Sequence, residues 1–148
     1  MQFTGTERIT AARDRVWVFL MDPNRVAACG PGVESVEVVD ADHFRVRAKV
    51  SVGFISARFM LDMAMAERVE PDVAVIRARG QAPGSAVEGQ ARMVLSGQPE
   101  GPTDLAWTAD VTITGTLAAV GRPLIEGTAK KIIAQVFTCF RSQLEAGE

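Results

Sequence analysis

The sequence contains one histidine, His43, so any general base or metal ligand that needs an imidazole must be this residue. His43 begins a segment in which charged and apolar residues alternate. It has the same parity as Arg45 and Arg47, which means that all three occupy odd-numbered positions. Alternate residues of a strand lie on opposite faces, so these three side chains are predicted on one solvent-facing surface. We therefore expect His43 to be exposed and to have no catalytic role.

Three carboxylates inside predicted strands, Glu7, Glu88 and Asp110, could act as an acid or a base if burial raised their pKa. Only Glu7 occupies the same alternate positions as the apolar residues near it, so only Glu7 is predicted to face inward. The sequence pattern pairs no second titratable group with it. The other two are predicted on the outer face of a sheet. The pattern therefore predicts no catalytic residue.

Other motifs that support chemistry are missing from the sequence. It has no tyrosine and no Gly-x-Ser-x-Gly segment. Cys29 and Cys139 are far apart, with no cysteine or histidine at zinc-ligand spacing, so we expect reduced thiols, a cytosolic location and no metal site. The segment Gly80-Gln81-Ala82-Pro83-Gly84 does not open a helix, so it is interpreted as a turn and not as a phosphate-binding loop.

The composition is that of an ordinary globular protein, with 47% hydrophobic and 23% charged residues. It predicts one domain spanning residues 1–148. A net charge of -2 and scattered arginines argue against nucleic-acid binding. The N-terminus does not resemble a signal peptide, and no run approaches the roughly 18 apolar residues of a membrane span, so we expect a soluble chain.

The elements that must position these residues can be predicted from periodicity and turn residues. Residues 2–10 are predicted as a strand, residues 13–21 as a helix, and a second short helix begins at Pro23. Six strands follow between residues 33 and 115, separated by clusters of glycine, proline and aspartate. Together with a long final helix, this order predicts an α+β fold with a seven-stranded antiparallel sheet.

The alternation also predicts which strand positions face inward. Apolar residues occupy even positions from Phe44 to Val52 and odd positions from Ile55 to Met65, so a turn or bulge is required near Gly53-Phe54. Later strands place small residues on the inward face, which leaves volume for a ligand. Met60, Met63, Met65 and Met93 are interpreted either as an adaptable ligand surface or as ordinary core.

The last third of the chain predicts a long amphipathic helix. Its apolar residues recur at three- and four-residue spacing and must lie against the sheet. They are Leu117, Leu124, Ile125, Thr128, Ile132, Val136, Phe140 and Leu144. A curved sheet around one long helix often leaves an apolar cavity between them, so the pattern indicates a protein that binds hydrophobic small molecules.

Four short segments carry a resemblance to a known family. They are Cys29-Gly30-Pro31-Gly32-Val33, Val50-Ser51-Val52-Gly53-Phe54-Ile55, the paired Gly80 and Gly89, and Gly115-Thr116-Leu117-Ala118-Ala119-Val120-Gly121. In these segments and in element order the chain resembles the CoxG family of carbon monoxide dehydrogenase subunits, within the START-like and Bet v 1-like (SRPBCC) superfamily of helix-grip proteins. The resemblance covers nearly the whole chain.

The resemblance implies a non-enzymatic accessory protein with no covalent cofactor. Such a protein would bind an isoprenoid quinone or another lipid beside a molybdenum hydroxylase, in the cytoplasm or peripherally at the inner face of the membrane. Two alternatives stay open. One is a small cyclase, aromatase or hydrolase of the same superfamily, and the other is an interaction subunit that binds no ligand.

The inward positions of the strands and of the final helix define the expected cavity. Its residues are Phe44, Val46, Val50, Phe59, Leu61, Met63, Ile76, Ala78, Gly80, Gly89, Ala91, Met93, Trp107, Leu124, Thr128, Ile132 and Val136. Val52, Gly53, Phe54 and Ile55 are expected to form the cavity lip, because an apolar pair at a turn often marks a membrane or partner contact. The other interpretation of Phe54 and Ile55 is packing onto the helix.

Overall fold

A computed structural model describes residues 1–146, so the last two residues of the expected domain, 147 and 148, lie outside the described residues. The elements are β1 (Gln2–Ile9), α1 (Arg13–Leu20), α2 (Pro23–Ala28), β2 (Val33–Val38), β3 (His43–Val52), β4 (Ile55–Val69), β5 (Val73–Ala82), β6 (Ser85–Gly97), β7 (Thr103–Gly115), a 3₁₀ helix (Thr116–Val120) and α3 (Arg122–Glu145).

The strands form one antiparallel sheet in the order β1-β7-β6-β5-β4-β3-β2. This confirms the predicted α+β class, with seven strands, two short helices after the first strand and a long C-terminal helix. The sheet curves around α3, which is the helix-grip arrangement that the resemblance implies. β1 and β2 are the two edge strands.

The predicted faces of the hairpin β3–β4 are present in the structure. Phe44 lies opposite Met63 on the inner face, and Arg45 lies opposite Asp62 on the outer face. A two-residue turn joins Val52 to Ile55, and its first residue, Gly53, has a φ of 59°. Glycine is suited to this left-handed conformation, and the turn keeps both apolar sets on the inner face.

The final helix begins later than its periodicity predicts. The residues from Thr116 to Val120 form a 3₁₀ helix, Gly121 has a φ of 101°, and α3 starts at Arg122. Pro123 lies in the first turn of α3, where a missing backbone N–H breaks no helical hydrogen bond. Leu117 therefore belongs to the 3₁₀ helix, where it is buried, and not to the long helix.

The two cysteines correct the expectation of reduced thiols. Cys29 and Cys139 form a disulfide with a Cα–Cα distance of 5.4 Å, which links the C-terminal end of α2 to α3. No local pattern indicates this bond, because 110 residues separate the two cysteines and only the fold brings them together. Neither cysteine is free.

Most of the buried apolar residues among residues 1–146 belong to three separate clusters. The largest packs the C-terminal half of α3, including Phe137 and Phe140, against α1 and the ends of β1, β6 and β7. A second lies around Phe44 and Val46, beneath Ala27 of α2. A third joins Phe59 to Ile125 at the N-terminal end of α3.

Candidate functional site

The middle of the sheet and the middle of α3 contribute inward-facing residues that belong to none of the three clusters. These residues are partly exposed although they are mostly apolar, and they are Ala78, Gly89, Ala91, Ala109, Val111, Thr128 and Ile132. The nearest backbone neighbours of α3 lie at its two ends, in the 3₁₀ helix and β3 on one side and in β1 and α1 on the other. We call the region that these seven partly exposed residues face, between the sheet and the middle of α3, the central gap.

The expected cavity residues divide between the clusters and the central gap. Ala78, Gly89, Ala91, Thr128 and Ile132 line the gap. Phe44, Val46 and Phe59 are buried inside the second and third clusters. The others are partly buried and pack against a cluster, and they are Val50, Leu61, Met63, Ile76, Met93, Trp107 and Val136. Met63, Met65 and Met93 face inward as expected, whereas Met60 lies opposite Arg47 on the outer face.

Two expected cavity residues do not face the gap. A side chain added to Gly80 would collide with a methyl group of Leu61 and would lie 2.8 Å from Val87, so Leu61 already fills the space that the glycine leaves. Leu124 is 45% exposed and lies beside Gly53 at the end of the molecule. The alternation along the strand places Gly80 correctly on the inner face. It does not show which neighbouring side chain covers that position.

The expected lip is only partly at the surface. Phe54 is fully exposed at the tip of the β3–β4 turn, but Val52 is 3% exposed and Ile55 packs against the third cluster. A Cβ atom at Gly53 would lie 2.7 Å from a methyl group of Leu124. The exposed apolar tip therefore consists of Phe54 and Leu124, from two separate elements, and we call this pair the apolar tip.

A groove of about 470 Å³ lies between the edge strand β1 and α3, and we call it the edge groove. Its walls carry Glu7 and Arg141, whose side chains form an ion pair with an Nη1–Oε1 distance of 2.8 Å. The indole N–H of Trp107 points at the other oxygen of Glu7, at 3.5 Å. The inward parity of Glu7 is the only sequence signal for this groove, and its pairing with Arg141 has none, because α3 crosses β1 only in the folded chain.

His43 and the other strand carboxylates lie on the outer face, as predicted. The imidazole is 57% exposed, and its Nδ1 lies 2.8 Å from a carboxylate oxygen of Asp40. This hydrogen bond lowers the pKa of Asp40 below its ordinary value. Glu88 pairs with Arg79 at 3.1 Å, so it is a partner in a surface ion pair and not an acid or a base held in the gap.

The described residues carry neither a metal-binding cluster nor a membrane-spanning helix. Within residues 1–146, no three side chains of histidine, cysteine, aspartate or glutamate lie close enough together to hold a metal ion. In the same part of the chain, no helix combines the length and the apolar character needed to cross a bilayer.

The fold and the sequence together define the class of this protein. It has a START-like fold, and a solved START superfamily structure superposes on nearly all of it. The model of the CoxG family, the family of the carbon monoxide dehydrogenase G subunit, matches residues 5–145, and the chain belongs to this family. No curated protein sequence matches the chain.

Three solved structures illustrate the likeness. A conserved protein from Geobacillus kaustophilus has a TM-score of 0.91 at 19% identity, covering 99% of this chain and 96% of that one. A START superfamily protein from Mycobacterium smegmatis has a TM-score of 0.69 at 16% identity, covering 98% and 97%. The Zhui aromatase/cyclase from Streptomyces sp. R1128 has a TM-score of 0.72 at 20% identity, covering 98% and 93%. At these identities the likeness concerns the fold alone.

Proposed function

We propose that the protein, acting as one domain over residues 1–148, binds a hydrophobic small molecule in the central gap without catalysing a reaction. The observation that carries this proposal is the partial exposure of inward-facing apolar residues between α3 and the middle strands, such as Ala91, Ala109 and Ile132. Apolar side chains in that position would ordinarily be buried by a packed helix. A ligand that fills the gap would remove their surface from water, which is favourable.

An isoprenoid quinone or another membrane lipid fits the composition of this site. The wall is built from alanine, glycine, valine and isoleucine, and Thr128 Oγ1 donates its hydrogen bond to the backbone oxygen of Leu124. Few polar groups are therefore available to a ligand inside the gap. A long apolar chain needs few polar partners, in contrast to a sugar or a nucleotide.

Membership of the family supports an accessory role beside a molybdenum hydroxylase of the carbon monoxide dehydrogenase type. In this proposal the protein delivers or holds the apolar molecule for that enzyme. The apolar tip makes transient contact with the membrane, since exposed aromatic and aliphatic groups at one end of a molecule favour the interfacial region of a bilayer.

We also propose where in the cell the protein acts. A cytoplasmic protein, peripheral at the inner face of the membrane, would work beside a soluble oxidoreductase. The Cys29–Cys139 disulfide does not fit the reducing cytosol, because persistent disulfides are rare there. The oxidation state of these two cysteines in the producing cells is therefore a direct test of the location.

A second candidate is an enzyme, favoured by the structural likeness to an aromatase/cyclase. The Glu7 carboxylate in the edge groove is the titratable group that such a mechanism would use. However, Glu7 is bound to Arg141 and Trp107, and within residues 1–146 no other carboxylate or histidine shares that groove. An acid and a base that exchange protons with one substrate are not brought together there.

Native mass spectrometry of the protein purified from its own host separates the candidates. A retained lipid or quinone of defined mass supports the binding proposal, and co-purifying oxidoreductase subunits support the accessory role. Protein that is always free of ligand, and that does not take up a quinone analogue when one is added, contradicts the proposal. In that case the remaining alternatives are an enzyme or an interaction subunit with a collapsed gap.

A further inference from the structure

The edge groove has the features of a recognition site for a polar group, beside the apolar central gap. Its volume of about 470 Å³ lies within the range of small-molecule sites, which is about 300–1,000 Å³. Phe3, Ile133 and Phe137 supply apolar wall, and the indole of Trp107 stacks on Phe137 with 5.6 Å between ring centroids. The charged residues in the lining are Glu7, Lys130 and Arg141.

Arg141 is held in place by Glu7 and has N–H groups that can bind a ligand. Its side chain is 34% exposed and that of Glu7 is 24% exposed, so the ion pair is mostly withdrawn from solvent. Both oxygens of Glu7 are engaged, one by Arg141 and one by Trp107, which fixes the carboxylate. Within the described residues the guanidinium uses one N–H group, whereas arginine carries five in a planar fork.

The charge of the groove favours an anion. Lys130 lies on the same face of α3 as Arg141 and about 16 Å from it along the helix axis, from the rise of an α-helix. Glu7 neutralises one of the two cations, so the lining keeps a net positive charge although the whole chain carries a net charge of -2. Between the cations the helix wall is apolar except for Thr138, and Ile133 follows Ile132 of the central gap in the sequence.

The geometry points to an anionic, single-chain amphiphile as the ligand of this groove, with its carboxylate or phosphate bound by the free N–H groups of Arg141. The chain then runs along Phe137 and Ile133 toward the central gap. Glu7 positions the guanidinium by holding one side of it. This inference rests on the proposed function, because it adds a polar end to the apolar site.

The experiment compares ligands that differ only in the head group. Binding of dodecanoate, dodecyl phosphate and 1-dodecanol is measured by calorimetry and, in a Trp17→Phe background, by Trp107 fluorescence. Each ligand is kept below its solubility or micelle limit. The parent should bind at least one anion about tenfold more tightly than the alcohol, which is the effect of a hydrogen bond to a charged group. The anion that binds more tightly shows whether the groove prefers a phosphate or a carboxylate head group.

The test variant is Glu7→Gln with Arg141→Met, which removes both charges together and leaves no unpaired carboxylate in the groove. It should lose the preference for the anion and keep its affinity for the alcohol. Lys130→Met removes an exposed charge about 16 Å from Arg141 and should change neither affinity by more than about twofold, because charges that far apart are largely screened by salt. The matched control is Glu88→Gln with Arg79→Met, which removes a pair on the outer face and should change neither affinity.

Three results would overturn the inference, and they differ in meaning. If the parent binds the alcohol as tightly as both anions, or if the double variant keeps the anion preference, Arg141 does not read a head group, while the proposed function stands because an apolar ligand still binds. If none of the three ligands binds the parent but a quinone analogue does, the inference fails alone. If the quinone analogue does not bind either, the proposed function fails with it.

Discussion

Gly5 of β1 and Trp107 of β7 lie directly opposite each other, and the indole of Trp107 occupies the space that a side chain at Gly5 would need. A Cβ atom built on Gly5 would lie 2.8 Å from Cζ2 and 2.9 Å from Nε1 of the indole. The absence of a side chain lets the ring lie on the edge strand, stack on Phe137 and point its N–H at Glu7. One glycine therefore shapes the floor of the edge groove.

We predict that Gly5→Ala displaces Trp107 and destabilises the protein by about 1–3 kcal/mol, the usual effect of overpacking. The measurements are the free energy of unfolding in urea and the emission maximum of Trp107 in a Trp17→Phe background. Gly127→Ala is the matched control, because a Cβ atom there meets nothing within 4 Å. Replacing this helical glycine should stabilise by about 0.5–1 kcal/mol. Equal stability of Gly5→Ala and the parent would show that the contact is not tight.

A second prediction concerns the link between α2 and α3. Replacing Cys29 and Cys139 by alanine should lower the free energy of unfolding by about 2–5 kcal/mol, since the disulfide closes a long loop in the unfolded chain. A reductant should lower the stability of the parent and leave that of the double variant unchanged. Two free thiols in the denatured, unreduced parent, detected by alkylation and mass spectrometry, would contradict the disulfide.

Local patterns predicted the faces of this sheet because side-chain direction in a strand depends only on the nearest neighbours along the chain. The opposed pairs Phe44 with Met63 and Arg45 with Asp62 follow directly from alternation and one turn. The long helix was predicted from its apolar stripe. Its start was not predicted, because the apolar residues keep the same spacing on both sides of Gly121, where the 3₁₀ helix ends and α3 begins.

The features that sequence could not predict depend on elements that meet only in the folded chain. The disulfide, the Glu7–Arg141 pair and the Phe54–Leu124 tip each join residues from distant segments. Gly80 shows a different limit: its inward parity is correct, but the side chain of Leu61 fills the space beside it. A single sequence reports which face a residue occupies and not what covers that face.

A third prediction concerns the apolar tip. Phe54→Asp combined with Leu124→Asp should slow the extraction of a quinone from liposomes, because charged groups resist entry into the acyl region by up to a few kcal/mol each. Binding of a short-chain soluble quinone should survive, as neither side chain lines the central gap. The control is Val18→Asp with Val39→Asp, at exposed valines elsewhere on the surface. Extraction at the parent's rate would assign membrane contact to another surface.

A fourth prediction concerns the only histidine. His43→Ala should change the free energy of unfolding and the affinity for ligand by less than about 0.5 kcal/mol, as is usual for an exposed residue. The pKa of Asp40 should rise toward its ordinary value, because the His43 hydrogen bond that lowers it is lost. NMR titration of the Asp40 carboxyl group measures this shift. A large loss of ligand binding would instead support a role for His43 in chemistry.

The central claim is that a ligand occupies the gap between the sheet and α3, and Ala109 offers the most direct test. Ala109 faces the gap, whereas Ala106, three residues earlier on β7, is exposed on the outer face. The measurement is the dissociation constant of a decyl-substituted quinone for the parent, Ala109→Phe and Ala106→Phe, with each variant's unfolding followed in urea. We predict at least a roughly tenfold weaker affinity for Ala109→Phe at near-parent stability, and no change for Ala106→Phe. The claim is contradicted if Ala109→Phe binds the quinone like the parent, or if it loses about 1–3 kcal/mol of stability by overpacking while the parent binds no quinone at all.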